Sequence, residues 1–138
     1  YFSEATTGSA YDNLIFKFEL LQFQEEDHDN DGIPSYVEDL DNTKDVTDDD
    51  TDEDGIPNFI DTDDDGDGTA TINELKSTTY VINTTIGDIE PILATNEFER
   101  SRSDNAGIIT INTVTILDTN NNGKPDYLDI DVTTNYNE

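Results

Sequence analysis

Three runs of alternating aspartate, each ending in glycine, carry the chemistry of this chain: Asp27-x-Asp29-x-Asp31-Gly32, Asp50-x-Asp52-x-Asp54-Gly55 and Asp63-x-Asp65-x-Asp67-Gly68. Side chains on alternate residues of a tight loop turn inward together, and glycine permits the sharp bend. The chemistry this spacing serves is coordination of a hard divalent cation, since Ca2+ takes about six to eight oxygen ligands. Residues 25–67 hold 20 of the 34 carboxylates, with Lys44 and His28 the local sources of positive charge. Such a segment repels itself unless something neutralises it.

With Asp27 as the first loop position, Asp29 is third, Asp31 fifth, Gly32 sixth, the Ile33 carbonyl seventh, Ser35 ninth and Glu38 twelfth. Every position that a twelve-residue calcium loop of about this form requires is filled. The second unit offers Asp50, Asp52, Asp54, the Ile56 carbonyl, Asn58 and Asp61, whose shorter side chain coordinates less fully than glutamate. The third offers Asp63, Asp65, Asp67, the Thr69 carbonyl, Thr71 and Glu74, and matches the loop pattern end to end. Thr71 and Glu74 also have capping-box spacing, which predicts a short helix through Ile72 and Leu75. A fourth unit uses Asp118, Asn120, Asn122, the Lys124 carbonyl, Asp126 and Asp129. Two asparagines and an opposing lysine make it the weakest site.

Residues 39–49 stay open. Asp39, Asp41, Asp45, Asp48, Asp49 and Asp50 could complete neighbouring shells or make a further site, but Thr43-Lys44 stands where aspartate and glycine are wanted. Asp39, Asp61 and Asp129 are candidates for bridging two ions. The cofactor expected is Ca2+, about four ions with a range of three to six. Four would add eight positive charges to the formal −28, leaving about −20.

Other readings of these residues are weaker. A metal-free acidic linker would not reproduce the register of Asp-Gly-Ile-Pro-Ser-Tyr-Val-Glu at 31–38, Asp-Gly-Ile-Pro-Asn-Phe-Ile-Asp at 54–61 and Asn-Gly-Lys-Pro-Asp-Tyr-Leu-Asp at 122–129. Tyr36, Phe59 and Tyr127 read as structural packing before they read as a binding stripe. His28 is a spacer between aspartates, and Ser35 has no adjacent base to make it a nucleophile. Glycoside hydrolysis needs two differentiated carboxyl groups beside a cleft, whereas these acids are regularly spaced.

The elements that must position these loops are few. At 138 residues, net charge −28 and 32% hydrophobic content, the chain leans toward disorder unless ligands intervene. There is no cysteine, so no disulfide framework, and no apolar run long enough to span a membrane. So acidic a chain repels nucleic acid. It opens on Tyr1 with no signal segment, which predicts a processed protein or the tail of a longer one.

Residues 14–21 alternate as a strand whose sheet partners are expected upstream of Tyr1. Residues 78–117 supply most of the expected core, from Tyr80, Val81 and Ile82 through Ile89, Ile92 and Leu93 to Ile108, Ile109, Ile111, Val114, Ile116 and Leu117. Residues 110–116 read as a strand because β-branched residues dominate, with turns at Gly87-Asp88 and 105–107; 97–102 gives no assignment. Pro34, Pro57 and Pro125, at the eighth loop position, would each start a single helical turn. Those turns bring Ile33 to Tyr36 and Val37, and Ile56 to Phe59 and Ile60.

The acidic units resemble thrombospondin type 3 calcium repeats, in the cysteine-free form common in bacterial surface and secreted proteins, over 25–75 and 118–131. The run Glu-Glu-Asp-His-Asp-Asn-Asp-Gly-Ile-Pro-Ser-Tyr-Val-Glu-Asp at 25–39, followed by Asp-Glu-Asp-Gly-Ile-Pro-Asn-Phe-Ile-Asp, looks more specifically like the tail of Bacteroidetes lipoproteins that begin with an FKBP-type peptidyl-prolyl isomerase domain. Leu-Ile-Phe-Lys-Phe-Glu-Leu-Leu at 14–21 resembles the last strand of that fold. The resemblance implies that Phe16 is a remnant of the proline-binding pocket, with plain burial as its alternative. Residues 1–24 cannot enclose a substrate, so the chain as given is expected to be inactive, whatever isomerase activity a full-length protein has.

The fold class expected is thus a mostly irregular calcium-stabilised repeat array with short helical turns, an N-terminal β strand from a truncated FKBP-like domain, and a small β-containing insert. Its segments are 1–24 (the FKBP-like remnant), 25–77 (acidic repeats), 78–117 (β-rich insert) and 118–138 (final repeat and tail). The function expected is a structural calcium-binding module of an exported or cell-envelope protein, serving as scaffold or docking surface in a protein complex. The alternative is the C-terminal part of an isomerase acting on exported proteins. The expected partner is an envelope or secreted protein, with no nucleic acid, no transmembrane segment and a lipid anchor on a preceding N-terminal part. The expected location is extracellular or outer-membrane-associated, at the surface or the periplasmic face.

Overall fold

The computed structural model describes residues 26–137. The regular part is one antiparallel sheet of three strands: β1 (Lys76–Asn83), β2 (Glu97–Asn105) and β3 (Ile108–Thr115), in the spatial order β1-β3-β2. β3 is central because Ile-Ile-Thr-Ile-Asn-Thr-Val-Thr is rich in β-branched residues that suit a pleated, two-sided surface. A two-residue turn joins β2 to β3, with both Ala106 (φ 52°) and Gly107 (φ 87°) left-handed, the conformation that follows the twist of a hairpin. β1 ends in a single 3-10 turn, Thr84–Ile86, closed by Gly87 at φ 91°.

The register brings Ile82 opposite Ile109, Tyr80 opposite Ile111 and Thr78 opposite Thr113. Ile82, Ile111 and Thr113 are buried on that face. The Tyr80 and Thr113 hydroxyls both donate to Glu97 Oε1, at 3.0 and 2.6 Å, and so tie both outer strands to the middle one. β2, which gave no assignment from sequence, is a charged edge strand that exists through its pairing to β3. It breaks register between Glu99 and Ser101, and the Arg100 guanidinium there donates to the Asn30 carbonyl at 3.2 Å.

The core joins sheet to loops. Val114 of β3 packs in one cluster with Ile33, Leu75, Tyr127 and Leu128, and Val37, Phe98 and Ile116 border it. Ile33 and Val37 of the first unit and Tyr127 and Leu128 of the last are therefore the inner surface of the acidic segment, whereas Tyr36 is exposed. Gly32 (φ 107°) makes the approach possible, since a Cβ there would stand 3.1 Å from Val114 Cγ2 and 3.2 Å from Arg100 Cδ. Single 3-10 turns follow Pro57 (Asn58–Ile60) and Pro125 (Asp126–Leu128), as the prolines predict. α1 (Thr71–Glu74) is one turn long, capped at Ala70 with no side-chain cap bond; the capping box does not form because Thr71 Oγ1 accepts the Asp64 N–H instead. The C-terminal residues fasten onto this turn, Tyr136 N–H donating to the Asn73 carbonyl and the Asn137 amide to that of Ile72.

Several expectations change. Ile89 and Ile92, assigned to the core, are 87% and 100% exposed, because the 87–95 connection runs outside the sheet. Ile56 and Ile60 are exposed too, so the second loop lacks the apolar buttress given to the first. The mostly irregular array is corrected to a mixed architecture in which a three-stranded sheet and short helical turns share one core with the loops. The strand expected at 14–21, and Phe16 with it, lies outside the described residues. No helix among those described is long and apolar enough to cross a membrane.

Candidate metal centre

Each acidic unit folds into the same closed loop. The ninth-position N–H donates back to the carbonyl just before the unit: Ser35 to Glu26 (2.9 Å), Asn58 to Asp49 (2.8 Å), Thr71 to Thr62 (2.9 Å) and Asp126 to Leu117 (2.7 Å). Inside the loop the first-position carboxylate accepts the sixth-position N–H, Gly32 to Asp27 at 3.2 Å, Gly55 to Asp50 at 3.0 Å, Gly68 to Asp63 at 3.1 Å and Gly123 to Asp118 at 2.9 Å. The third position accepts from the fifth, and the fifth from the seventh, as in Asp31 to Asp29 (3.2 Å) and Ile33 to Asp31 (2.6 Å). Ile56, Thr69 and Lys124 repeat that last bond.

Backbone amides thus satisfy both oxygens of Asp27 and Asp118 and one oxygen of most of the other loop aspartates, whose second oxygen turns into the loop. Asp29 Oδ2, Asp31 Oδ2, Asp50 Oδ1, Asp63 Oδ1, Asp65 Oδ2 and Asp67 Oδ2 are buried without a hydrogen-bond partner among the described residues. So are both carboxylate oxygens of Glu38 and of Glu74, the twelfth-position residues, which are 0% and 1% exposed. Carboxylate oxygens converge in Asp27/Asp29/Asp31, Asp50/Asp52/Asp54 and Asp63/Asp65/Asp67, each triad offering oxygens within 4.8 Å of one another.

No basic side chain pairs with these groups: the ion pairs among described residues run from Arg102 of β2 to Glu99 of the same strand and to Glu90 in the 87–95 connection. Burial first, then the neighbouring carboxylates, pushes Asp31 up to about 8 and Glu38 and Glu74 up to about 9. A buried carboxylate without a donor is costly in either a protonated or an ionised state. All-oxygen donor sets with this charge fit a hard divalent cation; His28, whose Nδ1 shares a 2.8 Å hydrogen bond with Ser35 Oγ and whose ring meets Phe59 edge-on, is engaged elsewhere.

The ninth-position side chains act as clasps in this geometry. Asn58 Oδ1, Thr71 Oγ1 and Asp126 Oδ1 accept the N–H of the second loop position, from Thr51, Asp64 and Thr119 at 2.9, 3.2 and 2.8 Å. Asp61, at the end of the second unit, accepts the Asp63 N–H at 3.0 Å. The fourth unit is built differently. Asn120 and Asn122 both donate their side-chain amides to Asp129 Oδ2 at 2.8 Å, and the first of these bonds holds that carboxyl below its usual range. Two amides there occupy the position that carboxylates hold in the third loop.

Two further groupings form, one in the 39–49 stretch that the sequence left open as a further site and one that the sequence did not assign. Residues 39–44 form an additional loop, in which Lys44 takes the glycine position at φ 70° and its backbone N–H donates to Asp39 at 2.9 Å, while Thr43 N–H donates to Asp41 at 3.0 Å. Asp39, Asp41 and Asp49 converge there. Asp64 joins Asp29 and Glu38 in the other. Its signal was available: the second loop position is His28, Thr51 and Thr119 in the other units, and a carboxylate in the third interrupts the alternation.

Residues 28–98, just over half of the chain, match the family model described as BamM C-terminal. No curated protein and no solved structure matches. The family match overturns the likeness to thrombospondin type 3 repeats and to FKBP-type isomerase lipoproteins: calcium-repeat and isomerase (rotamase) identities are replaced, and the fold is that family's small mixed α/β domain. The acidic clusters remain as groups with the capacity to coordinate a metal ion. The first three acidic loops and the strand that follows them fall within the match, so the chain belongs to the BamM C-terminal family, a domain of outer-membrane assembly complex proteins, which is consistent with a general scaffolding role in the envelope.

Proposed function

We propose that this chain is an envelope scaffold whose acidic loops take up divalent cations, Ca2+ by preference, and become rigid by doing so. One observation supports the reading above others: thirteen buried carboxylate oxygens have no hydrogen-bond partner among the described residues. Native structures hold few such atoms, and an ionised one at neutral pH needs a counter-charge. The ligands proposed are the inward oxygens of Asp27, Asp29, Asp31 and Glu38; of Asp50, Asp52 and Asp54; and of Asp63, Asp65, Asp67 and Glu74, with the carbonyls of Ile33, Ile56 and Thr69 in reserve. The fourth unit, Asp118 to Asp129, takes an ion weakly, because its asparagine amides already serve Asp129.

Ca2+ is favoured over softer metals because the donors are oxygens from flexible, crowded loops. Its binding free energy would be coupled to folding of a self-repelling segment. Since Ile33 sits in the same core as Val114 of the sheet, ordering the loops would order the surface that a partner in the assembly reads. The exposed apolar residues Ile86, Ile89 and Ile92 are the docking residues we assign on that surface.

Calorimetric Ca2+ titration with parallel circular dichroism and hydrogen exchange tests this. Saturable uptake of several ions that protects the amides of Ile33, Gly55 and Thr69 is expected. Equal protection in chelator and in excess Ca2+ would overturn the proposal. Serine at Ile89 and Ile92 should weaken partner binding without releasing ions.

A further inference from the structure

We propose that Asp64 closes a cation site between the first and third loops, together with Glu38 and Asp29. This rests on the proposal that the loops take divalent cations, but the ligand set follows from the fold and not from the repeat. At the second position of its loop, Asp64 lies outside the first, third and fifth alternation that lines a single loop. Its own N–H is satisfied by Thr71 Oγ1, and its side chain is turned away from that bond, 1% exposed, with both oxygens lacking a partner among the described residues. Glu38 meets it from the first loop, fully buried, with both oxygens in the same condition. Asp29 accepts the Asp31 N–H through Oδ1 and leaves Oδ2 buried and unpartnered. One oxygen from each of the three lies within 4.8 Å of the others.

Three carboxylates so placed offer an incoming cation five oxygens without a hydrogen-bond partner among the described residues, those of Asp29 and Glu38 shared with the first loop. A Ca2+ shell of about six to eight is then short by one to three, which Asp31 Oδ2 or solvent can supply. Glu38, Asp31 and Asp29 all act on Asp64, so carboxylates of two loops gather at one point, more than a single loop supplies. Tyr127, 2% exposed and one of the core residues, feels the charges of Asp64, Glu38 and Asp31, so the site borders the apolar cluster. An ion there would pin two loops, separated in sequence by the whole second unit, against the base of the sheet.

The test uses the full chain, Ca2+ alone as probe, native mass spectrometry for ion count and chelator competition for affinity. The variants are Asp64→Asn and Glu38→Gln, singly and together; both are near-isosteric and remove a repelling charge, so the metal-free chain should not be destabilised. Asp64→Asn should lose one ion from the count or lower the affinity of the tightest ion at least tenfold. Adding Glu38→Gln should then cost little more, as for two ligands of one ion. Hydrogen exchange gives a second readout that does not depend on the count: in the parent Ca2+ should protect Ile33 and Asp64 amides in step, and in Asp64→Asn at separate concentrations. Unchanged ion count and affinity in Asp64→Asn, or effects that add as for two independent sites, would overturn the bridge while leaving loop binding intact. No Ca2+ uptake by the parent would overturn both.

Discussion

Replacing Asp65 and Asp67 together by asparagine should make the third loop stand up without a cation. The fourth loop supplies the design, since Asn120 and Asn122 each place an amide 2.8 Å from Asp129 Oδ2. Asp65 and Asp67 occupy the same third and fifth positions, and their backbone-accepting oxygens survive the change: Oδ1 of each already accepts from Asp67 and Thr69, at 3.1 and 2.5 Å. The new amides would face Glu74, whose two oxygens are buried and unpartnered among the described residues. A hydrogen bond to a charged acceptor contributes about 1.5–3 kcal/mol, so the pair should stabilise the metal-free chain by about 3–6 kcal/mol. At a urea dependence of about 2 kcal/mol per molar, the midpoint in chelator should rise by about 1.5–3 M. In excess Ca2+ the gain should shrink or reverse, because two charged ligands have gone. Urea melts followed by circular dichroism, with and without chelator, measure both. A midpoint in chelator no higher than that of the parent would refute the claim that unpaired carboxylates limit this loop.

Further outcomes follow from the same structure. The chelated chain should be most stable near pH 4 and lose stability as pH rises toward about 9, because the folded state keeps protons on Asp29 and Asp65 (about 6), Asp31 (about 8) and Glu38 and Glu74 (about 9) that the unfolded chain releases near 4. Excess Ca2+ should flatten that curve, and urea melts across pH 5–9 check it. Gly32→Ala should destabilise by about 1–3 kcal/mol, since it forces a left-handed φ on a side chain that meets Val114. Lys44→Gly should stabilise by about 1 kcal/mol by relieving the left-handed backbone at φ 70°. Leu75→Ala, at a fully buried position, should cost about 2–5 kcal/mol, whereas Ile92→Ser should change stability by less than about 0.5 kcal/mol. Thermal or chemical denaturation of each variant at fixed Ca2+ decides these.

Local signals were legible where one residue type has one job. The alternating aspartates with their glycines describe the loops the structure forms, the β-branched run at 110–116 lies in β3 up to Thr115, and proline marks the start of two of the 3-10 turns. What could not be read is non-local. β2 is a charged segment whose strand state comes from β3, and Ile92 looks like core in composition but has nothing to pack on. The ninth-position residues carry oxygens that suit either a cation or a backbone clasp, and only the fold brings the second-position N–H to them. Asp64 is hidden for the same reason: its neighbours Glu38 and Asp29 belong to another loop. The resemblance to a familiar repeat followed local spacing, and the family match across 28–98, sheet residues included, carries the identity elsewhere.

The sheet order β1-β3-β2 has a bearing on how the protein is made. β1 and β2 pair their backbones with β3 and not with each other, and the cluster around Ile33 is completed by Val114, Tyr127 and Leu128, which come late in the chain. A polypeptide emerging from its amino-terminal side therefore displays its acids well before the segment that can shelter them. Until β3 arrives neither flanking strand has a mate: β2 finds its own across a two-residue turn, but β1 must wait for the whole 84–107 stretch. The first acidic loop likewise gains most of its apolar support only once residues 114–128 have been made.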